Sequence, residues 1–238
     1  MLVAGAGALG VAGYAAFSTD SCLFGAVVAR SPTAVNSVAL TFDDGPDPTV
    51  TPRILDALAA AGAHATFFLV GERAEAAPDL VKRIAASGHQ IGNHSARHSW
   101  LPLHSRATIE SDLAQTQASL TRIAGIAPTV FRPPYGCRDP RVLECAEQLS
   151  LTTVLWSVTP RDWQEPPAAT IAERVLADVR SGDVVLLHDG DAAEHRGRPN
   201  TADALPAILA GLRARGLTPV RVDELLASQP RRAIGNGN

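Results

Sequence analysis

"SVALTFDDGPDP", residues 37–48, is an apolar, β-branched run that stops at two adjacent aspartates and a Gly-Pro turn. Successive side chains of a β-strand point to opposite faces, so a strand that continued through Asp43 and Asp44 would bury only one carboxylate. Two carboxylates this close repel each other, and one of them takes up a proton unless a cation lies nearby. An Asx-type turn that caps the next helix accounts for Asp47 but leaves Asp44 without a role. The stretch therefore predicts a strand end that needs a positive charge from elsewhere in the chain.

Outward from this stretch, short apolar runs alternate with amphipathic segments. The runs predict strands at 37–43, 65–70, 90–94, 129–132, 152–158, 183–188 and 218–222. The amphipathic segments predict helices near 50–61, 76–87, 107–124, 139–149, 168–180 and 201–214. Such alternation is typical of parallel strands joined by crossover helices, in either a barrel or a doubly wound sheet.

Side chains with reactive chemistry come at or just beyond the carboxyl ends of five predicted strands. They are Asp43, Asp44, His94, Arg132, Asp162 and His188. In a barrel these strand ends meet on one rim, whereas an open sheet spreads them along a line. We therefore predict an α/β barrel, imperfect because seven predicted strands are one short of the usual eight.

The bulk composition excludes some classes of function. The 238 residues suffice for one large domain. A formal net charge of −3, without a dense basic run, lacks the footprint of a nucleic-acid binder. We expect a neutral partner molecule, no nucleic acid, no obligatory protein partner and a monomer.

The three cysteines, Cys22, Cys137 and Cys145, are too few and scattered for a disulfide scaffold or a four-cysteine zinc site. A pairing of Cys137 with Cys145 stays open.

The first seventeen residues carry no charge and consist mostly of Ala, Gly, Val and Leu. This stretch is shorter than the about 20 residues of a membrane span and suits a secretory signal or an N-terminal anchor. Because no basic residues precede it, a buried apolar segment is the alternative; we favour export, to the medium or the cell envelope. The predicted division is a signal or anchor with linker at 1–35, a catalytic domain at 36–226 and a tail at 227–238. "GAGALG", residues 5–10, matches a dinucleotide fingerprint only formally, since no strand can precede it.

"HSARH", residues 94–98, separates two histidines by four positions. On a helical turn this spacing brings both imidazoles to one face, close enough to hold one divalent ion. Two imidazoles and one carboxylate fill three positions around zinc or a similar ion and leave a fourth for water, which is the pattern of a catalytic site. With His94 and His98 beside one aspartate of the pair, the second aspartate is free to take a proton from water.

Two further stretches carry candidate chemistry. In "FRPPYG", residues 131–136, the prolines stiffen a loop in which the Tyr135 amide can donate to a developing oxyanion, and Arg132 can pair with a carboxylate. A rigid turn with a surface arginine is the alternative. "LLHD", residues 186–189, ends a strand with His188, which suits a general acid when Asp162 raises its pKa. A lone histidine after a buried strand is otherwise more often structural.

Taken together, "TFDDG", "HSARH", "RPPYG", "RDW" and "LLH", in this order, resemble the five motifs of the polysaccharide deacetylases of carbohydrate esterase family 4. Their catalytic unit is also called the NodB homology domain, and the resemblance covers about residues 36–226. It implies a distorted (β/α) barrel of seven to eight units and metal-dependent removal of N-acetyl or O-acetyl groups from glycans.

The resemblance also implies roles for individual residues. Asp43 is the catalytic base, whereas Asp44, His94 and His98 bind zinc, cobalt or another divalent ion. Tyr135 donates its backbone amide to the oxyanion, and Arg132 orients Asp43. His188 is the general acid, and Asp162 tunes its pKa. The substrate pocket is formed by Trp163, Leu186, Pro133 and Tyr135.

The expected substrates are N-acetylglucosamine-containing glycans such as chitooligosaccharides or peptidoglycan. The alternatives are an acetylxylan esterase with the same machinery and a carbohydrate-binding barrel that has lost catalysis. Such a binding protein would be expected to lack a base, an acid or a ligand, and none is missing here. One departure is Thr159, where many members of the family carry an aspartate, and it affects the expected substrate preference more than the activity.

Overall fold

The structure is a computed structural model that describes residues 16, 18, 19, 21, 23–191, 194 and 196–227. Its strands, β1 to β9 in chain order, are Ser37–Asp43, Thr66–Leu69, Gln90–Asn93, Val130–Phe131, Thr152–Thr153, Val184–His188, Gly190–Asp191, Arg196–Gly197 and Thr218–Val220. Its α-helices, α1 to α8, are Thr51–Ala61, Gly71–Ala76, Pro78–Ala86, Arg106–Ala124, Pro140–Gln148, Ala168–Asp178, Pro199–Ala214 and Val222–Ala227. All seven predicted strands and all six predicted helices thus have a counterpart.

Seven of the strands form one parallel sheet in the order β5-β4-β3-β2-β1-β6, with β9 beside the start of β1. The central strand β1 pairs with β2 on one side and with β6 on the other. In this register Asp43 lies opposite His188 of β6. The carboxyl ends of the neighbouring strands therefore carry the aspartate pair and the candidate acid side by side.

The sheet curls until its two edges nearly meet. The segment 152–158 starts beside β4, and its end forms a bridge from Val158 to Val185 of β6. The segment leaves β4 before it reaches β6, so the strand predicted at 152–158 is regular only over Thr152–Thr153. Val154 and Val158 form isolated bridges beyond it. One of these bridges joins Val28 to Val154, so residues before 36 also contact the sheet. The result is a distorted, incompletely closed barrel, which confirms the predicted fold class.

A large cluster of apolar side chains packs between the sheet and several of the surrounding helices. Leu40 and Phe42 of β1, Phe67 of β2 and Ile54 of α1 are fully buried in it. The rings of Phe42 and Phe67 stack with centroids 5.1 Å apart. Burial of each such side chain contributes about 1.5–3 kcal/mol, so this core holds the strand ends of the site in fixed positions.

Several elements differ from the sequence-based expectation. The predicted helix at 76–87 is preceded by the separate helix α2, and Pro78, which lacks an amide hydrogen, begins α3. The amides of Gly71 and Glu72 at the start of α2 donate to the carbonyls of Ser95 and Ala96, 2.9 and 3.0 Å away, a tertiary contact without a local signal. The hairpin β7–β8 and the helix α8 were likewise not predicted.

Other expectations concern the chain ends and the cysteines. The apolar segment 1–17 lies outside the described residues except for Ala16, as do residues 5–10, Cys22 and the tail from 228 onward. The division at residues 36 and 226 stays a prediction. Cys137 and Cys145 are both free and buried, so they do not pair with each other. Within the described part of the chain, none of the helices has the length and apolar character needed to cross a bilayer.

Candidate active site and metal centre

The two adjacent aspartates face the same cavity because the backbone turns between them. Asp43 is the last residue of β1, and Asp44 has the left-handed φ of 72°. This turn breaks the alternation of strand side chains, so both carboxylates are buried and both line the cavity. Asp47 is a separate case, since its Oδ1 accepts hydrogen bonds from the amides of Thr49 and Val50 at 2.9 and 2.8 Å, as the Asx-turn interpretation predicts.

Arg132 holds Asp43 from behind the cavity. Its guanidinium is fully buried and donates to Asp43 Oδ1 over 2.7 Å and to the Thr41 hydroxyl over 2.8 Å. Two backbone carbonyls accept from its remaining nitrogens, and the Phe68 ring lies 4.2 Å from its central carbon. Burial lowers the pKa of Arg132, and the charge of Asp43 opposes that effect. Each guanidinium nitrogen of Arg132 thus has a hydrogen-bond partner, and this buried ion pair fixes the position of the Asp43 carboxylate.

Asp44, His94 and His98 form a compact group of donor atoms, here called the metal group. Asp44 Oδ1 lies 3.3 Å from His94 Nε2 and 3.1 Å from His98 Nε2, and one candidate ligand atom from each residue lies within 4.8 Å of the others. The predicted helical turn at 94–98 is wrong, since Ser95 and His98 have positive φ values of 64° and 54° in a loop. The loop, not a helix, brings the two imidazoles together.

The metal group fits a cation on the evidence of its own hydrogen bonds. His94 Nδ1 lies 2.7 Å from the Arg132 carbonyl, which only accepts, so Nδ1 carries the proton of the neutral ring. Nε2 then presents a lone pair to Asp44 Oδ1, an oxygen that has no hydrogen-bond partner although it is buried. An anion facing an imidazole lone pair is the arrangement that a divalent ion would satisfy.

His188 and Asp162 form a second group, here called the proton group. His188 Nδ1 lies 2.8 Å from Asp162 Oδ1, and the His188 amide donates to Asp162 Oδ2 over 2.8 Å. The hydroxyl of Thr201 donates to the same Oδ2 over 2.8 Å, so both oxygens of this buried carboxylate have partners. Burial lowers the pKa of His188, but the charge and hydrogen bond of Asp162 dominate and raise it to about 9.

The two groups open into one cavity of about 350 Å³. Its lining consists of Asp43, Asp44, His94, His98, Tyr135, Gly136, Trp156, Trp163, Leu186, His188, Asp191 and Arg198. Arg132 and Asp162 support it from behind. Pro133, expected to contact substrate, is buried and does not line the cavity, because the chain turns into it only at Tyr135, whose φ is 60°. Every other predicted site residue reaches the cavity or contacts one that does.

The polysaccharide deacetylase family model matches residues 30–154 of this sequence, which is more than half of the chain. The chain belongs to that family. Peptidoglycan-N-acetylglucosamine deacetylase of Bacillus cereus is 41% identical over 191 residues, which cover 79% of this chain and 87% of the relative. Chitooligosaccharide deacetylase of Sinorhizobium fredii is 39% identical over 197 residues, covering 79% and 91%. These matches confirm the resemblance and the prediction of a hydrolase.

A solved structure agrees with the observed architecture of this deacetylase-family chain. The Bc1960 peptidoglycan N-acetylglucosamine deacetylase, in complex with 4-naphthalen-1-yl-N-oxidanyl-benzamide, is 37% identical and has a TM-score of 0.79. The match covers 87% of this chain and 95% of that one. The curled parallel sheet is thus the fold of a known deacetylase.

Some residues of this deacetylase-family site were not found from the sequence. Asp191 and Arg198 line the cavity and form a buried ion pair across the hairpin β7–β8. The sequence gives little indication of this pair, because an aspartate and an arginine seven positions apart in a polar stretch are typical of no particular structure.

Asp189 follows His188 directly, and its role is likewise not evident from the sequence. Its carboxylate accepts a hydrogen bond from the Thr51 hydroxyl, and its amide lies 3.2 Å from the Asp43 carbonyl. A Cβ placed on Gly45 would come within 2.2 Å of Asp189 Oδ2, so only glycine fits there. Asp189 thereby fixes the turn that follows Asp44. In the sequence, the glycine of "TFDDG" is the one residue that indicates this close contact.

Proposed function

We propose that this chain removes N-acetyl groups from glycans that contain N-acetylglucosamine, with a divalent ion held by Asp44, His94 and His98. One observation carries the proposal: a buried Asp44 oxygen without a hydrogen bond faces the Nε2 lone pair of His94. A divalent cation satisfies both the oxygen and the lone pair, and the metal group lies beside the Asp43 carboxylate, which can act as a base. The names of the two relatives, which state peptidoglycan-N-acetylglucosamine and chitooligosaccharide as substrates, support the choice of glycan.

Zinc is our first choice of ion. Two imidazoles and one carboxylate are donors that zinc accepts in catalytic sites, and cobalt tolerates the same set. When bound, such an ion supplies Lewis-acid chemistry, polarising a carbonyl oxygen and acidifying water.

In the proposed reaction Asp43 acts as the general base. Arg132 occupies its Oδ1, while its Oδ2 lies 3.8 Å from His94 Nε2, at the edge of the metal group. Oδ2 is therefore the oxygen placed to take a proton from a water molecule that attacks the acetamide carbonyl carbon. The Tyr135 amide, at the cavity wall, donates to the oxygen on which negative charge develops.

His188 acts as the general acid on the opposite side of the reaction. Asp162 engages its Nδ1, so Nε2 is the nitrogen that remains for the substrate. When the carbon–nitrogen bond breaks, the imidazolium gives its proton to the leaving amine, and acetate is the second product. Trp163, whose ring meets that of His188 edge-on with centroids 5.6 Å apart, and Leu186 provide an apolar wall for the acetyl methyl group.

The test is acetate release from chitooligosaccharides, peptidoglycan and acetylated xylan, each with and without chelator. We expect release from the N-acetylated glycans, full loss of release after chelation and recovery when zinc is returned. Metal analysis of the same preparations should give about one ion per chain. Full activity of metal-free protein in excess chelator would overturn the metal mechanism, whereas release from xylan alone would replace the amidase with an esterase.

We also propose that the chain works outside the cytoplasm, at the cell envelope or in the medium. The uncharged, apolar first seventeen residues support this, as does a polymeric substrate of the kind named for its relatives. Fractionation of cells that express the full chain checks it. Recovery of the protein only from the cytoplasmic fraction would contradict the proposal.

A further inference from the structure

Three aromatic side chains at the mouth of the cavity expose a large part of their surface. Trp100 is 42% exposed, Tyr135 45% and Trp163 39%. Large apolar side chains that gather in the open beside a polar cavity indicate a binding surface. Tyr135 and Trp163 line the cavity itself, but Trp100 stands outside its lining and outside the five sequence motifs.

Trp100 is the outermost of a row of three rings that leads away from the metal group. The His98 and Tyr135 rings meet edge to face with centroids 4.5 Å apart. The Tyr135 and Trp100 rings then stack, with centroids 4.3 Å apart and an angle of 16° between their planes. Tyr135 covers one face of the indole, yet a large part of the Trp100 side chain stays exposed.

The backbone fixes Trp100 in this position. The next residue, Leu101, is buried in an apolar cluster with helices α4 and α5 and begins a short 3-10 helix, Leu101–Leu103. The Leu103 amide donates to the Trp100 carbonyl over 2.9 Å. An exposed ring that is held rigid before binding loses little conformational entropy when a ligand covers it.

The cavity is too small to enclose a polymer. Its volume of about 350 Å³ is at the lower end of the range for small-molecule sites. A glycan whose acetylated sugar reaches the metal group must therefore continue across the rim. On the side of His98 and Tyr135, the partly exposed Trp100 is the next aromatic side chain along the rim.

We propose that Trp100 binds the sugar ring next to the one that is deacetylated, with the C–H face of an uncharged hexopyranose stacked on the indole. This inference rests on the proposed function and adds a second sugar site to it. The indole offers a flat, neutral, apolar surface that can pack against the C–H face of a pyranose. Trp100 is then a determinant of chain-length preference and takes no part in bond cleavage.

The experiment measures kcat/KM for acetate release on N-acetylglucosamine oligomers from two to five sugars, with zinc present. The variants are Trp100→Ala, Trp100→Phe and Ile126→Ala. Ile126 is also exposed, beside Gln90 at the amino end of β3, and serves as the matched control. In the parent chain we expect kcat/KM to rise with oligomer length.

For Trp100→Ala we expect a loss of roughly 3- to 10-fold on the longer oligomers, in KM more than kcat, and a smaller loss on the shortest. Trp100→Phe, which keeps a ring, should recover most of the difference, and Ile126→Ala should match the parent. An equal loss of kcat/KM at every oligomer length would overturn the proposed sugar site on Trp100. It would mean that Trp100 only holds Tyr135 in position. A parent chain that releases acetate from peptidoglycan but from no oligomer would also overturn the sugar site on Trp100, whereas no release from either substrate would overturn the proposed function, so the two failures are distinguishable.

Discussion

The metal group and the proton group use the same residue types, a carboxylate and imidazoles, yet their hydrogen bonds differ. In both His94 and His188, Nδ1 forms a hydrogen bond on the side away from the cavity, and both imidazoles line the cavity. The partner of His94 is a neutral carbonyl oxygen, whereas the partner of His188 is the Asp162 carboxylate. The first arrangement leaves a lone pair and the unpartnered oxygen of Asp44 facing each other. The second satisfies both carboxylate oxygens and raises the pKa of His188 to about 9.

This difference shows how one cavity can hold a cation and a proton a short distance apart. A metal ligand needs a ring whose Nε2 is unprotonated, and a carbonyl behind it fixes that tautomer without adding charge. A general acid needs a ring that keeps its proton near neutral pH, and a buried anion behind it supplies that stabilisation. The substitutions below alter one group at a time.

The largest effect is expected when the carboxylate of the metal group loses its charge. Asp44→Asn replaces an anionic ligand with a neutral amide, so we expect metal binding at least about 100-fold weaker and no detectable acetate release without added metal. Excess zinc should restore part of the activity. Metal content after dialysis and a zinc titration of acetate release provide the check. Full metal retention in this variant would remove Asp44 from the metal group.

Asp43→Asn should also be severe but should fail for another reason. The three donors of the metal group remain, so the metal stays bound, while the base is gone and the rate falls by roughly 10²–10⁴-fold. Added zinc should not restore this variant. Metal lost from Asp43→Asn and kept in Asp44→Asn would mean that the two adjacent aspartates have reversed roles.

A smaller and pH-dependent effect is expected in the proton group. His188 must be protonated to act as the acid, so activity should fall as the pH rises through its raised pKa, about 9 in the metal-free protein. Asp162→Asn removes the charge that raises this pKa, so the basic limb of the pH–rate profile should move to lower pH. Above the lowered pKa of the variant, each further increase of one pH unit reduces the protonated fraction of His188 about tenfold.

Thr201→Val is the matched control for that measurement. It removes one hydrogen bond to Asp162 Oδ2 but keeps the carboxylate charge, so the basic limb should stay close to that of the parent. An unmoved basic limb in Asp162→Asn would show that another group controls it. The acidic limb reports a different residue and should not follow these substitutions.

Strand ends and motif spacing were enough to predict the barrel and most of the cavity. Parallel strands bring their carboxyl ends to one rim, so Asp43, His94, Arg132 and His188 could be placed together without coordinates. The local backbone could not be predicted, because a left-handed residue such as Asp44 or His98 is specified by packing around the turn. The same limit explains the wrong helical turn at 94–98.

Contacts between distant segments were the other limit. The donation from the His94 ring to the Arg132 carbonyl joins residues 38 positions apart, and no local pattern indicates it. The ion pair of Asp191 and Arg198 depends on how a short hairpin packs over the cavity. The motif predicts Pro133 in the substrate pocket, but in the structure Pro133 is buried and does not line the cavity.

The smallest effect concerns the third aspartate of the opening stretch, which should separate stability from catalysis. Asp47 Oδ1 accepts from the amides of Thr49 and Val50 and from the Thr49 hydroxyl, just before α1. Asp47→Ala should lower the free energy of unfolding by about 0.5–2 kcal/mol, as for the loss of a helix cap, and leave metal content unchanged. Asp47→Asn keeps an accepting oxygen and should lose less. Denaturant midpoints measure the loss of stability in both variants, and metal analysis measures metal content. Loss of metal from Asp47→Ala would show that the turn at Asp47 is also needed to form the metal group.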